Sequence, residues 1–290
     1  MNARRKLFFF GKGGGAAPVE TRFTMLIDTE ADGVSGANQF TLVGAEGTYN
    51  LTARNVATEV EQVFENQTGE QTFTFSEGAG QYLIFIEPTG ATPFHRIVYS
   101  TAEIRKIIDI QRWGNVVWSN FANMFNSVGH TLKISATDAP DLTTADISFS
   151  GAFRSIIFPD AHSSDFSHWD FSNVRVFLDT FRASTFASEC LIELKVDNSF
   201  LDRTFRQSTF QNNADYTNSL IFMMKKCVEN DGPVDAAILQ LSVSVAEFDN
   251  SLPTGLPAPL DTAGALRNHV TNTVDNGGYG WTMSGDTRIN

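Results

Sequence analysis

Two patterns of apolar positions divide this chain. Up to about residue 98, apolar and polar residues alternate over short runs. Gln71-Thr72-Phe73-Thr74-Phe75 alternates strictly, Phe23–Ile27 and Gln39–Val43 are short apolar runs, and Gln81–Ile86 reads as a more buried strand. A period of two puts one face of a strand in a core and the other in water. Gly33, Gly36, Gly44, Gly47, Gly69, Gly78 and Gly80 separate these runs. Short strands at even spacing predict a small β-sandwich over residues 21–98.

Beyond residue 99 the pattern lengthens. Phe125 in NMFNS, Phe153 in GAFRS, Phe181 in DTFRAS and Phe205 in RTFRQS recur at spacings of 28, 28 and 24 residues. A fixed period of this size marks a solenoid, whose units cannot bury their apolar faces alone. Stacked units share a continuous core and expose long surfaces. Phe125, Phe153, Phe181 and Phe205 are therefore expected to form one buried column, each ring contributing about 1.5–3 kcal/mol. In each unit a short helix around the Phe-x-x-(Ala/Ser) segment is expected behind a short strand. Thr131–Ser135, Leu191–Val196 and Gly280–Met283 are candidate strands, and Ser219–Cys227 and Ala263–Val270 candidate helices. Glu103–Ile110 spaces Ile104, Ile107 and Ile108 as a helix does, and fits a strand capping the solenoid equally well.

Residues 1–20 form an arm. Arg4, Arg5, Lys6, Leu7, Phe8, Phe9 and Phe10 make a basic and aromatic plug ahead of a Gly11–Gly15 joint. Three consecutive Phe would be costly in water, so the plug is expected to be buried in a partner.

Charge narrows the classes. The net charge is −12, although residues 1–12 carry four positive charges and no acid. Residues 20–90 hold eleven acids against Arg22 and Arg54. Nucleic acid is not the expected partner, because duplex binding needs a basic face. The basic arm and acidic body suit docking onto a separate partner or a neighbouring copy, so a homo-oligomer is expected. No apolar run approaches a membrane span, and Leu7–Phe10 is too short for the core of a secretory signal.

Chemistry-bearing residues form no recognisable set. Cys190 and Cys227 show neither metal spacing nor C-x-x-C, sit in apolar surroundings, and are expected to be free buried thiols. His162 and His168 lie near Asp160, Asp165 and Asp170, but six residues apart they lack the spacing of a helical zinc pair. No G-x-S-x-G elbow exists, and Gly11–Gly15 lacks the order of a phosphate loop. Asp28–Gly33 clusters oxygens without a full calcium loop. No catalytic residue, cofactor or metal is expected, and the protein is read as a non-enzyme.

One family carries a resemblance. Trp169, Asp170, Ser172, Asn173, Val174, Phe181, Ala183 and Phe186 fit, in order, the repeat of BspA-like leucine-rich-repeat proteins of bacterial surfaces and phage virions. Trp113, Gly114, Trp118 and Phe125 are similar to the family's entry segment, Thr137–Leu142 to its next strand and turn, and Gly280–Met283 to its close. The likeness covers roughly 99–290 and is most specific at 110–186. In such proteins a PKD-like domain often precedes the repeats, and Gly80-Gln81-Tyr82 loosely resembles its closing motif. The resemblance implies an α+β chain: an arm (1–20), an immunoglobulin/PKD-like β-sandwich (21–98) and a leucine-rich-repeat α/β solenoid with a C-terminal cap (99–290). Phe125, Phe153, Trp169, Phe181 and Phe205 would be repeat core. The implied role is structural or adhesive. The expected setting is the virion of a tailed bacteriophage, as fibre, baseplate, collar or capsid decoration, held to other virion proteins by the arm. A host surface protein or glycan is the expected ligand. A bacterial cell-surface adhesin is the alternative.

Overall fold

The computed structural model describes residues 20–99, 102–192, 204–205, 207–210, 213–229, 238–240, 254, 260–261, 263–271 and 282–284. The chain forms two compact units. One is Met1–Trp118 with Leu132–Asp141, and the other is Ser119–Thr131 with Leu142–Asn290.

The first unit is built on antiparallel pairing. Its strands are β1 (Phe23–Asp28), β2 (Gln39–Leu42), β3 (Thr48–Asn55), β4 (Glu61–Thr68), β5 (Gln71–Thr74), β6 (Gln81–Thr89) and β7 (Ile107–Arg112). After β8 (His130–Thr131), which belongs to the second unit, β9 (Lys133–Ile134) returns to the first. Six strands form one sheet in the order β4-β3-β6-β1-β7-β9, and β2 and β5 form a separate pair. The register sets the core: Phe23 lies opposite Ile86, Met25 opposite Ile84 and Ile27 opposite Tyr82. All six are buried, because a period of two brings every second side chain to the same face. The β2–β5 pair covers that face: the Phe73 ring lies 4.8 Å from Phe64 and 6.5 Å from Tyr49.

A second aromatic cluster closes the unit. Phe23 lies 5.2 Å from Trp118 and 5.9 Å from Trp113, and Phe94 lies 5.7 Å from Trp118. Gly114 lets the chain turn there. Its φ is +66°, and a Cβ would come within 2.4 Å of the Arg22 backbone. Asp138 secures the same turn by accepting the amides of Trp113 (3.1 Å) and Gly114 (2.8 Å).

The second unit is a stack of coils. Its short strands are β10 (Ile147–Ser148), β11 (Ile156–Phe158), β12 (Asp165–Phe166), β13 (Val174–Val176), β14 (Thr185–Phe186), β15 (Leu191–Ile192) and β16 (Thr209–Phe210). β8, β11, β14 and β16 form one parallel sheet, with β10–β13 and β12–β15 as parallel pairs. Helix α1 (Asn213–Glu229) packs on β15, β16 and α2 (Ala263–Thr271), and a parallel pair joins β17 (Ile238–Gln240) to β18 (Thr282–Ser284). Leu220, Met224, Leu266 and Val270 are fully buried in this helical cap. The Cys190 amide donates to Ser219 Oγ at 2.8 Å.

These observations correct the expected class. The chain is mainly β, with α1 and α2 the α-helices among the described residues, and the coils form a β-solenoid. Neither the α+β class, nor the immunoglobulin/PKD-like sandwich, nor the leucine-rich-repeat α/β solenoid describes it. In the first unit, β7 and β9, from beyond residue 98, are strands of the main sheet, and the facing layer is a single pair. In the second unit the Phe-x-x-(Ala/Ser) segments are not helical, because their amides bond to the next coil. Phe121, Asn123 and Phe125 donate to Ser148, Ser150 and Ala152 at 2.9, 2.9 and 2.8 Å. Phe149, Gly151, Phe153 and Ser155 repeat this with Val176, Leu178, Thr180 and Arg182 at 2.7, 2.9, 2.9 and 2.8 Å. An amide donated along the stack is not free to close an i→i−4 helical bond. Glu103–Ile110 resolves into a 3-10 turn, Ala102–Lys106, leading into β7.

Candidate binding surface on the stacked coils

The repeat residues lie in the core, where they set the spacing of the surface. Phe125, Phe153, Phe181 and Phe205 stack in series, with centroids 5.6, 5.6 and 5.4 Å apart. Phe121, Phe149 and Phe177 form a second column at 4.4 and 5.7 Å. Phe158, Phe186 and Phe210 form a third at 5.0 and 4.5 Å. Trp169 is buried between columns, 5.0 Å from Phe166 and 6.3 Å from Phe153. Stacked rings at these separations attract beyond the burial of their area.

Two rows of buried hydroxyls accompany the rings, and the sequence reading missed them. Thr180 and Thr204 donate to the carbonyls of Phe149 (2.9 Å) and Phe177 (3.1 Å). Ser184 and Ser208 donate to those of Phe153 and Phe181, both at 2.6 Å. The signal is the shared Thr-Phe-Arg-x-Ser pattern of 180–184 and 204–208, whose Ser reads by spacing as part of a helical segment. Each hydroxyl satisfies a carbonyl at the bend of the preceding coil.

The outside of the stack repeats as well. Thr131, Ile157, Thr185 and Thr209 lie side by side on the parallel sheet, half-buried or exposed. Asn123, Gly151 and Asp179 hold one turn position in successive coils, with φ of 56°, 63° and 55°. Ser155, Ala183 and Gln207 hold another, with φ of 61°, 57° and 60°. Repeated left-handed residues without glycine at most positions show how strongly the stacking dictates the turn. Asn126, Arg154 and Arg182 line a row between them, each half-buried.

The ionisable groups noted in the sequence serve turns. Asp160 accepts the Ser163 amide (2.8 Å) and hydroxyl (2.7 Å), Asp165 those of Ser167 (3.0 and 2.6 Å), and Asp170 the Ser172 amide (3.0 Å). His162 and His168 are exposed. Asp28 accepts the Glu30 amide at 2.9 Å. Among the described residues no three His, Cys, Asp or Glu side chains converge as a metal site. Cys190 is free and buried, and burial pushes its thiol well above its usual range, with Asp165 adding to the effect. The side chain of Cys227, and the arm residues Arg4, Arg5, Lys6, Leu7, Phe8, Phe9 and Phe10, lie outside the described residues.

In the first unit the unforeseen feature is two buried side chains of opposite charge, Glu103 and Lys106, that grip one loop. Glu103 accepts the amides of Val34 (2.8 Å), Ser35 (3.0 Å) and Thr41 (2.7 Å). Lys106 donates to the carbonyls of Ser35 (3.1 Å), Gly36 (2.8 Å) and Gln39 (2.9 Å). Both residues are buried, and together they hold the 34–41 loop in shape. Desolvation lowers the Lys106 pKa, against the opposing pull of Glu103 and Asp28.

No protein family, curated protein or solved structure matches this chain.

Proposed function

We propose that this protein is a non-enzymatic structural and adhesion component of a tailed-bacteriophage virion, seated in the particle by its arm and presenting its coils to a ligand. The observation that carries the reading is the β-solenoid itself. Three ring columns and two hydroxyl rows hold successive coils in register, so equivalent outward positions such as Thr131, Ile157, Thr185 and Thr209 form a row. Such rows suit a ligand with a repeating structure of its own. The likeness of residues 110–186 to BspA-like repeats adds support for adhesion, and the Arg4–Phe10 plug on a glycine joint adds support for anchoring.

Deleting residues 1–15 tests the reading. The expected product has an unchanged circular dichroism spectrum and is missing from purified particles. Normal incorporation of the truncated chain overturns the anchoring role. Recovery of the intact chain in the bacterial envelope, and not in particles, overturns the virion setting in favour of a cell-surface adhesin.

A further inference from the structure

We propose that Arg154 and Arg182 form an anion-binding row along the coils, and that its ligand is a linear acidic polysaccharide. The inference rests on the adhesion reading and names the ligand class.

The two arginines occupy the same position in adjacent coils. The Arg154 amide closes a turn onto the Gly151 carbonyl (3.3 Å), and the Arg182 amide closes the same turn onto Asp179 (3.1 Å). Their carbonyls accept equivalent ladder bonds from Ser127 (3.1 Å) and Ser155 (2.8 Å). Their backbones are therefore held one strand spacing apart, about 4.7–4.9 Å. The stacking forces two like charges into one row, so an oxyanion lying between them relieves their repulsion.

The balance of charge along the row is uneven. In the first coil, Asn126 bonds to Asn123 three residues back (3.1 Å). In the third, Arg182 pairs loosely with Asp179 at the same offset (3.6 Å). In the second coil that place is Gly151. Its φ is +63°, and a Cβ there would lie 2.7 Å from Asn123 Oδ1, so the turn disfavours an acid. The Arg154 guanidinium accordingly has no ion-pair or hydrogen-bond partner among the described residues. Two cations and one acid leave a net charge of +1 on this row of a protein whose total is −12. Arg206 follows Phe205 as Arg154 follows Phe153, and lies outside the described residues.

The surroundings choose the ligand. A single-stranded nucleic acid is held by stacking its bases on exposed aromatic rings, and the described residues around the row expose none. An acidic polysaccharide sets free hydroxyls beside each carboxylate or phosphate, and these suit the flanking Asn126, Ser155 and Gln207. Arginine binds either oxyanion through two parallel N–H groups.

The test uses the full chain at low salt against four immobilised polymers: polygalacturonate, a phosphate-bearing glycerol teichoic acid, dextran and a dT20 oligonucleotide. Binding is expected to one or both acidic polysaccharides, and the responding polymer distinguishes a carboxylate from a phosphate ligand. Dextran and dT20 are expected not to bind. Arg154→Gln with Arg182→Gln should weaken binding at least about 10-fold, the loss of two charge-assisted contacts. Arg154→Lys, which keeps the charge and loses the two parallel N–H groups, should fall between the unaltered chain and the double variant, and Arg175→Gln, at a different turn position, should retain all binding. Circular dichroism of each variant checks the fold. Binding to neither acidic polysaccharide, equal binding by the double variant, or dT20 binding as tight as theirs overturns the row as proposed. These outcomes are independent of particle incorporation, so they fail separately from the anchoring test.

Discussion

The two units solve the same problem in opposite ways. In the first, contacts are unique and distant in sequence. Glu103 reaches back across 62 residues to Thr41, and Lys106 across 71 to Ser35. In the second, one small set of contacts recurs at a near-constant offset. The columns join 125 to 153 and 153 to 181, and the β-ladder joins 157 to 185. Damage to a unique lock should stay local to the loop it holds. Damage to a repeated contact should reach the coils on either side, because each coil is stable only through its neighbours.

The sharpest way to break this contrast is Phe181→Ala. Phe181 meets Phe153 and Phe205 in its own column, and also Phe158, Phe166 and Phe186. Truncating a fully packed Phe should cost about 3–5 kcal/mol. Amide hydrogen exchange should show protection falling across 149–186 while 23–112 stays unchanged. A loss below about 1 kcal/mol would show that the column does not bear on stability.

Lys106→Met is the matching lesion in the first unit. It leaves the Glu103 carboxylate buried beside its amide donors without a cation, and three loop carbonyls without their donor. Removing one of two buried opposite charges, with the hydrogen bonds it makes, costs about 3–5 kcal/mol. Exchange should quicken at 34–41 and leave the coils protected. Loss of protection along the coils would remove the distinction between the units.

Alkali should separate the units as well. Burial raises the pKa of Tyr49, Tyr82 and Tyr99, all in the first unit, above the usual 10.0. A group raised on folding stabilises fully below its unfolded value, and that stability is lost as pH climbs towards the folded one. The first unit should therefore weaken progressively above pH 10. Lys106 acts in the opposite sense, since its contribution grows with pH up to 10.5. In the coils burial raises the Cys190 thiol above 9.0, which acts in the same sense. Absorbance titration should show Tyr49 and Tyr99 ionising only as the first unit unfolds. Ordinary ionisation in the folded protein would contradict their burial.

Ser184→Ala tests the hydroxyl row. It removes the donor to the Phe153 carbonyl, and the Ile156 amide loses its 3.3 Å acceptor. The Phe153 carbonyl and the Ile156 amide then keep each other, at 3.4 Å, and the expected loss is about 1 kcal/mol, read from denaturant melts. A neutral outcome would show that the rings alone hold the coils in register.

The contrast also explains what could be read from the residues. Repetition is visible in sequence, so the period of Phe125, Phe153 and Phe181 points directly to stacking. The same period misled on secondary structure. Phe-x-x-Ser has helical spacing, and only the direction of its amides, which no composition reveals, distinguishes a coil bend from a helical turn. Phe205 follows Phe181 by 24 residues in place of 28 and still stacks on it. The unique contacts of the first unit leave no such trace. Glu103 and Lys106 sit in the run Glu-Ile-Arg-Lys-Ile-Ile, where two charges beside isoleucines read as a solvated helix face. Glu103–Ile110 was open between a helix and a strand capping the solenoid; β7 instead belongs to the first unit's sheet, and its pairing with β1, residues 107–112 with 24–27, is a long-range fact. On the surface, Arg154 and Arg182 were in view within the repeat. Their meaning depended on knowing that Gly151 stands where Asp179 stands one coil later.

The smallest expected effect probes the turn itself. Ala183 is exposed and holds a φ of 57°, where an L-residue is strained by roughly 1–2 kcal/mol. Ala183→Gly removes that strain and adds freedom to the unfolded chain, which costs back about 0.4–1 kcal/mol. The difference should be a stabilisation of about 0.5 kcal/mol, seen as a higher denaturation midpoint with an unchanged slope. The same substitution at an exposed strand position of the first unit, Thr72→Gly, should destabilise, because there the residue is extended and nothing is strained. If Ala183→Gly instead costs more than about 1 kcal/mol, the left-handed turn is not held against the preference of its residue, and repetition of the coils is not what dictates it.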